Sequence, residues 1–402
     1  MKTRLIRLPC FSLLIIFPIL GTMKFLLRFF VGLLLIFGII IALLYVYNFE
    51  YILKGVKTTY LSGYTTAYID DYTEFDNRVI EAGNPQPWPL HSNYNQLEAT
   101  EELDQLNEEL ETVAFLIIKN DSILYEKYAE NYGPDSKTNS FSMAKSVVAA
   151  LLGKAIMDGH IKSLDQPVAD FFPQFDKRLT VGDLASMASG LNWEEDYYSP
   201  FSMTARAYFD DNIREQILQL EVVDPPGKEY EYLSGNTELL AMVIEKATDQ
   251  TLSDYLSQSF WKPLGMQEDA LWQLDSEESG MEKAYCCIAS NAKDFARFGK
   301  LYKDFGNWNG KQLLDSAYVA RSITPRFEEA PHYGYGFWLE NLDGKKVFYM
   351  RGILGQYVIV VPEDDLIIVR LGHQVGDRPE GQEHSNDFYR YIREVYKMLA
   401  SH

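Results

Sequence analysis

The hydrophobic pattern begins with a continuous apolar run near the N-terminus. From Phe29 to Tyr47 the sequence reads FFVGLLLIFGIIIALLYVY and contains no charged residue. A helix needs about 20 mostly apolar residues to cross the hydrocarbon layer, so residues 29–47 predict one membrane-spanning helix. The run leads into Tyr45, Tyr47 and Asn48 rather than into the small residues of a cleavage site, which favours an uncleaved anchor over a removed signal peptide.

Basic residues lie on the N-terminal side of this run. Lys24 and Arg28 precede it directly, and three more lie upstream, at Lys2, Arg4 and Arg7. Basic flanks tend to stay in the cytoplasm. We therefore expect a single-pass membrane protein whose remaining chain is extracytoplasmic, in the periplasm. Met23 begins a second possible n-region, so the start site is open.

Three segments follow from the pattern: an anchor over 1–47, a tether over 48–112 and a main domain over 113–402. The tether is polar and aromatic, with Asn-Pro and Pro-Trp-Pro breaks near 84–89. It ends in an acidic stretch with regularly spaced leucines, Leu97 to Leu110. That spacing predicts an amphipathic helix packed beside the main domain.

The main domain opens with strand patterns. Val113–Ile118 and Ile123–Tyr128 are β-rich runs separated by a polar turn, which predicts a hairpin. Residues 142–158 are apolar at helical spacing over most of the helix surface and end at Gly159. Such a helix is expected to be central and buried.

Helical patterns dominate from about 160 to 300, including a capping box at Thr180–Asp183 and the run Leu239–Ala247. Four strands and a closing helix are predicted after this region: Tyr333–Glu340, Val347–Met350, Gln356–Val361, Leu366–Leu371 and Asn386–Leu399. One sheet must then be built from both ends of the chain. The predicted fold class is α+β, an antiparallel sheet flanked by helices with an inserted all-α lobe.

Charge and cysteine content exclude several classes of protein. The net charge is −20, and about −25 remains once the five basic residues before residue 48 are set aside. Nucleic acid is therefore not an expected partner. Only three cysteines occur, so a disulfide scaffold is excluded; we expect the adjacent Cys286 and Cys287 to be small buried hydrophobic side chains, because a disulfide between neighbours is strained.

The candidate chemistry is a Ser-x-x-Lys motif. On a helix this spacing places the amine one turn from the hydroxyl. The motif occurs at Ser142/Lys145, Ser259/Lys262 and Ser290/Lys293. Ser259 lies just before Pro263, and Ser290 is predicted to cap the helix that runs to Tyr302. Only Ser142 opens a long apolar helix, where burial can remove the roughly 4.6 kcal/mol that keeping a lysine neutral at pH 7 otherwise costs.

Two further motifs follow Ser-x-x-Lys along the chain. Tyr232-Leu-Ser234-Gly-Asn236 leads into a helix, and Gly352 follows a late strand. With Ser-x-x-Lys they resemble the penicillin-recognising serine hydrolases, in particular the class C β-lactamase branch. The resemblance covers roughly residues 113–399. Within that branch the Tyr-x-Ser-Gly-Asn-Thr and Gly-Gln-Tyr segments are most similar to 6-aminohexanoate-oligomer hydrolases and carboxylesterases.

The resemblance implies roles for particular residues. Ser142 would be the nucleophile, and Lys145 with Tyr232 the coupled base. The backbone N–H groups of Ser142 and Ile353 would form the oxyanion hole. The expected substrate-binding residues are Ser234, Asn236, Arg351, Gly352 and Tyr198. Tyr198 belongs to an aromatic loop, Trp193 to Phe209, which either covers the substrate or merely connects helices.

Two departures from the family pattern bear on substrate choice. Met350 stands where the family usually has Lys or His, and Ser234 replaces the Asn of Tyr-x-Asn. The missing cation weakens the expectation of β-lactam hydrolysis. The adjacent Arg351 could replace it, since a guanidinium suits a carboxylate, although a surface salt bridge is an equal alternative.

The sequence therefore predicts a hydrolase for a small ester, amide or peptide, including D-amino-acid or ω-amino-acid peptides. Two alternatives stay open: a β-lactamase or D,D-carboxypeptidase, and an idle anchored sensor that binds muropeptides. The chain has no Gly-x-Ser-x-Gly, no His-Glu-x-x-His and no histidines at ligand spacing. We expect no metal and no cofactor.

Overall fold

The computed structural model describes residues 16–401, with side chains from Met23 onward. The basic residues Lys2, Arg4 and Arg7 lie outside the described residues. The helices are α1 (Ile16–Val46), α2 (Tyr51–Gly55), α3 (Glu101–Glu109), α4 (Met143–Met157), α5 (Val181–Ala185), α6 (Met203–Phe209), α7 (Ile213–Leu218), α8 (Ser234–Thr248), α9 (Leu252–Leu256), α10 (Ala292–Lys303), α11 (Ser316–Ser322) and α12 (Asn386–Ala400). The strands are β1 (Asn77–Ile80), β2 (Thr112–Lys119), β3 (Ser122–Tyr128), β4 (Thr138–Asn139), β5 (Ala270–Gln273), β6 (Ile288–Ser290), β7 (Asn307–Trp308), β8 (Lys311–Gln312), β9 (Trp338–Leu342), β10 (Lys345–Gly352), β11 (Gln356–Val361) and β12 (Leu366–Gly372).

The larger sheet has six antiparallel strands in the order β3-β2-β12-β11-β10-β9. This order confirms that the sheet is assembled from both ends of the chain. The predicted β2–β3 hairpin is present, and Asn120 and Asp121 at its turn have φ of 49° and 56°, the left-handed conformation that tight hairpin turns need. Strand β9 starts later than predicted, because Tyr333 makes only an isolated bridge to Trp338.

A second, four-stranded sheet has the order β1-β5-β6-β4. Its strands β5 and β6 lie within residues 160–300, so the prediction of an all-α lobe is wrong there. The physical reason is that apolar runs of three or four residues have no periodicity that separates a strand from a buried helical turn. Strand β1 pairs with β5, which builds part of the 48–112 segment into the domain.

Helices cover both faces of the six-stranded sheet. Alternate residues of β2 point to opposite sides, and Leu116 and Ile118 pack in the core that contains α4, α8 and α10. Phe115 and Ile117 pack in a second core, with α3 and α12. Helix α4 has most of its residues buried, as its apolar sequence predicts. It forms the centre of the molecule and carries the candidate serine at its start.

The N-terminal helix α1 contains a segment that is long and apolar enough to cross a membrane, Met23–Val46, with a mean hydropathy of 3.0. It includes nearly all of the predicted span 29–47. A signal sequence would meet the same criterion of length and composition.

Cys286 and Cys287 are buried, as expected, but the expectation that they are unpaired is wrong. The two sulfur atoms are joined as a disulfide between neighbours. The backbone allows this because Cys287 has a φ of 79°, in the left-handed region.

Candidate active site

The candidate nucleophile lies at a constrained turn between β4 and α4. Ser142 is the N-cap of α4, and Phe141 before it has a φ of 46°, a left-handed conformation that is uncommon for a bulky residue. Two hydrogen bonds hold the turn: Phe141 N–H donates to Asn139 Oδ1 at 2.9 Å, and Ser140 N–H donates to the Ile288 carbonyl at 2.8 Å. The half-buried Ser142 is therefore presented on a fixed backbone.

Lys145 is placed against this serine. Its Nζ lies 2.9 Å from Ser142 Oγ and 2.9 Å from the carbonyl oxygen of Tyr285. The side chain is only 3% exposed, and no carboxylate among the described residues forms an ion pair with it. The structure thus brings together the Ser142/Lys145 pair that the helical spacing predicts.

The other two Ser-x-x-Lys copies do not form such a pair. Lys262 Nζ binds Glu81 Oε2 at 2.7 Å, and Lys293 Nζ binds Glu126 Oε2 at 2.9 Å. Ser290 is the last residue of β6 rather than the predicted helix cap. That cap is Asn291, whose side chain accepts from Asp294 N–H. Both lysines are committed to carboxylates, so neither is available as a base.

Glu238 is a site residue that the sequence did not reveal. It lies on α8, is fully buried, and accepts from the N–H groups of Ala284 and Tyr285 at 2.8 and 3.1 Å. It therefore fixes the peptide segment whose carbonyl accepts from Lys145. Burial raises the pKa of Glu238 to about 8, although the two N–H donors oppose this. The available signal was an acidic residue, Glu238, directly before the apolar stretch Leu239 to Ile244 of the predicted helix.

Tyr232 faces the amine with its ring. Lys145 Nζ lies 5.0 Å from the ring centroid, and the ring packs near Trp338 and Tyr333 at 5.2 and 6.0 Å. The Tyr232 hydroxyl has no hydrogen-bond partner among residues 16–401. The structure brings Tyr232 to Lys145 as expected, while proton sharing between them stays a prediction.

Glu195 is a second residue that sequence reasoning missed. Its carboxylate accepts from Ser234 N–H at 2.6 Å, from Ser234 Oγ at 2.7 Å and from Trp193 Nε1 at 2.7 Å, and it also accepts from the Tyr197 hydroxyl. It fixes the aromatic loop to the start of α8, two residues after Tyr232. The acidic Glu194-Glu195-Asp196 run was visible in the sequence, but it did not indicate which member turns inward.

Ser234 and Asn236 have internal contacts in this structure. Ser234 is 1% exposed, and its hydroxyl donates to Glu195. Asn236 is fully buried beside Met187. Contact of either side chain with a substrate would require movement of the aromatic loop or of the first turn of α8. Their substrate-binding role stays a prediction.

Gly352 lies where β10 meets the nucleophile turn. A Cβ at this position would lie 2.2 Å from the Ser140 carbonyl oxygen, so only glycine permits the approach. Ile353 follows directly. Neither the Ser142 nor the Ile353 N–H donates a hydrogen bond in the part of the chain that the structure describes. Both donors are thus free for the predicted oxyanion hole.

Arg351 is close to the aromatic residues around Tyr232. Its guanidinium carbon lies 3.3 Å from the ring centroid of Trp338, and Nη1 donates to the Glu383 carbonyl at 2.6 Å. No carboxylate forms an ion pair with Arg351 among the described residues, so the surface-salt-bridge alternative lacks its partner. Guanidinium donors remain available for an anionic group of a substrate.

A buried network of hydrogen bonds holds the turn that carries Ser142. Asp71 binds Asn139 Nδ2 at 2.9 Å, the Tyr208 hydroxyl at 2.5 Å and Gln273 Nε2 at 3.2 Å. Asn139 in turn holds Phe141. Burial raises the pKa of Asp71 to about 6, against the hydrogen bonds from Tyr208 and Asn139. A residue of the predicted tether therefore belongs to the base of the site.

Tyr198 lies at the outer edge of the aromatic loop. Its side chain is 97% exposed, and its N–H donates to Asp196 Oδ1 at 2.8 Å. The structure does not bring it to Ser142, and its substrate-binding role stays a prediction.

Comparisons with known proteins agree with this geometry. A family model described as Beta-lactamase matches residues 99–387. The chain is 26% identical over 296 residues to the 6-aminohexanoate-dimer hydrolase of Paenarthrobacter ureafaciens, which covers 67% of this chain and 74% of that protein.

Two solved structures share the fold. One, from Bacillus anthracis, is provisionally described as a 6-aminohexanoate-dimer hydrolase; it has a TM-score of 0.71 and 21% identity, covering 82% of this chain and 92% of that one. The other is a D-stereospecific amidohydrolase from Streptomyces, with a TM-score of 0.52 and 17% identity, covering 67% and 94%. At these identities the likeness establishes the fold alone.

Proposed function

We propose, from the premise that this chain belongs to the β-lactamase family, that it cleaves a small ester or amide through an acyl-enzyme on Ser142. The family match and the similarity to the 6-aminohexanoate-dimer hydrolase indicate a β-lactamase-fold hydrolase. The acyl-enzyme on Ser142 is proposed because the buried Lys145 Nζ lies 2.9 Å from Ser142 Oγ.

Acylation begins with a proton transfer. Neutral Lys145 takes the proton of Ser142, and the oxygen forms a bond to the substrate carbonyl carbon. The carbonyl oxygen becomes negatively charged and accepts from the N–H groups of Ser142 and Ile353. Two such donors are worth several kcal/mol, since removing one typically costs about 3–4 kcal/mol.

Collapse of this intermediate breaks the bond to the leaving group. The departing amine or alcohol receives the proton from Lys145 through Tyr232, whose ring lies next to the amine. Water then adds to the acyl-enzyme, and the same base takes its proton, so that the acid leaves and Ser142 is regenerated. No metal or cofactor has a role in these steps.

The proposed substrates are amides or esters with a free carboxylate, including D-amino-acid and ω-amino-acid peptides. The relative named a 6-aminohexanoate-dimer hydrolase supports this class. Arg351 supports the carboxylate, because its guanidinium stacks on Trp338 and lacks an ion-pair partner among the described residues. A planar fork of donors suits that group.

Covalent labelling tests the nucleophile. A fluorophosphonate probe should label the wild-type protein, and Ser142→Ala should abolish the labelling. Ser259→Ala is the matched control, since it removes a serine from a second Ser-x-x-Lys motif and should leave labelling intact. Labelling of Ser142→Ala at the wild-type level would contradict the proposal.

β-Lactam hydrolysis or D,D-carboxypeptidase activity is the second candidate, and penicillin-binding-protein structures among the neighbours keep it open. Met350, two residues before Gly352 at the position where the family usually has Lys or His, is buried and supplies no cation. Nitrocefin turnover distinguishes the two candidates. If the protein is instead a non-catalytic muropeptide sensor, it should bind muropeptides but show no burst of product with any ester.

We also propose that α1 remains attached as a membrane anchor, with the hydrolase domain on the extracytoplasmic side. The segment Met23–Val46 has 24 residues and is about 36 Å long, which exceeds the hydrocarbon thickness of about 30 Å. Lys24 and Arg28 at its N-terminal side support the orientation. Intact mass of protein extracted from membranes tests whether α1 is retained.

A further inference from the structure

The aromatic loop of the candidate active site is attached to the chain segment that leaves α1. Tyr51, the first residue of α2, is buried, and its hydroxyl donates to the Pro200 carbonyl at 3.1 Å. The ring of Phe49 packs edge-on against Phe201, with ring centroids 5.6 Å apart. Further along, Gly55 lies against the ring of Phe209 at the end of α6. The loop and the juxtamembrane segment are therefore one packed unit.

The distance from the membrane to this unit is short. Helix α1 ends at Val46, and Phe49 N–H still donates to Leu44 at 2.8 Å, so Phe49 stays next to the helix end. Three residues span at most about 10 Å. The polar headgroup layer is about 6 Å thick on each side of the hydrocarbon. Phe201, in contact with Phe49, must lie at or near this layer when α1 spans the bilayer.

The side chains of this unit suit an interface. Tyr198 is 97% exposed and Phe201 is 63% exposed, and Tyr45 and Tyr47 at the end of α1 are exposed as well. Aromatic residues are enriched at membrane–water interfaces, because one end of the ring system is apolar and the other tolerates water. The exposed aromatics of the loop thus continue the aromatic end of the membrane helix.

The same loop reaches the catalytic residues. Glu195, five residues before Pro200, binds the backbone and hydroxyl of Ser234, and Ser234 follows Tyr232 by two residues. Phe49 packs against Phe201, the loop connects Phe201 to Glu195 along the chain, and Glu195 holds the start of α8 by hydrogen bonds. The loop that contacts the start of α8 is consequently the part of the candidate active site that is attached to the end of α1.

We propose that the loop from Tyr197 to Phe201 lies in the interface of the bilayer that holds α1, and that the active site at Ser142 takes amphiphilic substrates from that membrane surface. This inference rests on the proposed function, both for the retained anchor and for the hydrolase site. It narrows the substrate class to esters or amides that partition into the bilayer surface.

Quenching by brominated lipid tests the position of the loop. The full chain with Phe201→Trp is reconstituted into vesicles of phosphatidylcholine with and without bromine on the acyl chains. The control is Leu90→Trp, because Leu90 is similarly exposed and bridges to Ile123, at the end of the large sheet opposite Gly352. The native tryptophans are all buried in the protein and contribute little quenching.

We expect bromine to quench the added fluorescence of Phe201→Trp at least threefold more than that of Leu90→Trp. Equal quenching would overturn the inference, as would a chain recovered from membranes without α1. Chemical cross-linking of the loop to a second copy, with no quenching, would assign the aromatic surface to dimerisation instead and would also overturn it.

Activity tests the substrate class separately. The rate on a long-chain p-nitrophenyl ester carried in vesicles is divided by the rate on soluble p-nitrophenyl acetate. Phe201→Ser should lower this ratio several-fold, whereas Leu90→Ser should not change it; an unchanged ratio in Phe201→Ser would count against the inference. If the wild-type protein hydrolyses neither ester and the fluorophosphonate probe does not label Ser142, the proposed hydrolase function fails, while quenching still decides where the loop lies.

Discussion

Glu195 accepts two hydrogen bonds from Ser234, one from the backbone N–H at 2.6 Å and one from the hydroxyl at 2.7 Å. Hydrogen bonds to a carboxylate are shorter and stronger than neutral ones, and the N-terminal end of a helix favours a negative charge. The contact therefore fixes both the aromatic loop and the start of α8. Tyr232, just before this helix, depends on it for its position over Lys145.

Replacing Glu195 tests this positioning role. Glu195→Gln keeps the size of the side chain but removes its charge, so Tyr232 should be held less firmly. We expect kcat/KM on a p-nitrophenyl ester to fall about tenfold, which corresponds to roughly 1.4 kcal/mol. Glu194→Gln, at the exposed neighbour, is the control and should retain wild-type kinetics. Equal effects of the two substitutions would argue against a specific role for Glu195.

Removing the proposed base should affect chemistry more than binding. Lys145→Met fills most of the buried volume without an amine, and general-base catalysis is commonly worth about 10²–10⁴ in rate. We expect the acylation rate, measured by stopped flow with p-nitrophenyl acetate, to fall by that factor with little change in KM. Lys262→Met should behave as wild type, because Lys262 binds Glu81 on the surface. An active Lys145→Met protein would remove Lys145 from the mechanism.

Gly352 should not tolerate a side chain. In Gly352→Ala the new Cβ would lie 2.2 Å from the Ser140 carbonyl oxygen, so β10 or the nucleophile turn must shift. We expect a loss of stability of about 1–3 kcal/mol, as for other overpacked sites, and at least a tenfold loss of activity, since the shift moves Ile353 N–H. Gly133→Ala is the control, with open space around its Cβ. Thermal unfolding and esterase assays measure both effects, and a Gly352→Ala protein with full activity would contradict the close approach.

Glu238 should make stability depend on pH. Burial raises the pKa of Glu238 from 4.5 to about 8, so the folded protein holds this proton more tightly than the unfolded chain. The stabilisation is complete below about pH 4.5 and is lost as the pH rises to about 8, with a slope of at most about 1.4 kcal/mol per pH unit.

Glu238→Gln removes the titration. We expect the fall in melting temperature between pH 5 and pH 8 to be larger in the wild-type protein than in Glu238→Gln, because contributions from all other groups are common to both. Glu231→Gln is the control, because Glu231 is exposed and no side-chain contact holds it. Parallel pH profiles for wild type and Glu238→Gln would exclude Glu238 as the titrating group.

Much of the fold could be predicted, because a long segment with a regular spacing of apolar residues indicates by itself whether it is a helix or a strand. The hairpin β2–β3, the buried helix α4, strands β11 and β12 and the closing helix α12 all lie where the pattern of apolar residues placed them. The short strands β5 and β6 were missed, since three or four residues carry no period. The β-lactamase family was also evident from the order of its motifs before any comparison.

The sequence by itself determined local relationships. A serine and a lysine three residues apart on a helix must face the same side, and 19 or more uncharged apolar residues must form a helix long enough for a membrane. The spacing alone did not separate the three Ser-x-x-Lys copies; the long apolar helix after Ser142 favoured that copy, and the structure pairs the other two lysines with carboxylates. Burial decides which copy becomes a site, and burial depends on neighbours distant in sequence.

Only the tertiary structure brought the remaining parts of the site together. Glu195 meets Ser234 across 39 residues, Glu238 holds the Tyr285 segment across 47, and Asp71 supports Asn139 across 68. No short-range pattern encodes such contacts, because each depends on how separate elements pack. The position of the aromatic loop beside the end of α1 was decided in the same way, by Tyr51 and Phe49 packing against residues some 150 positions later.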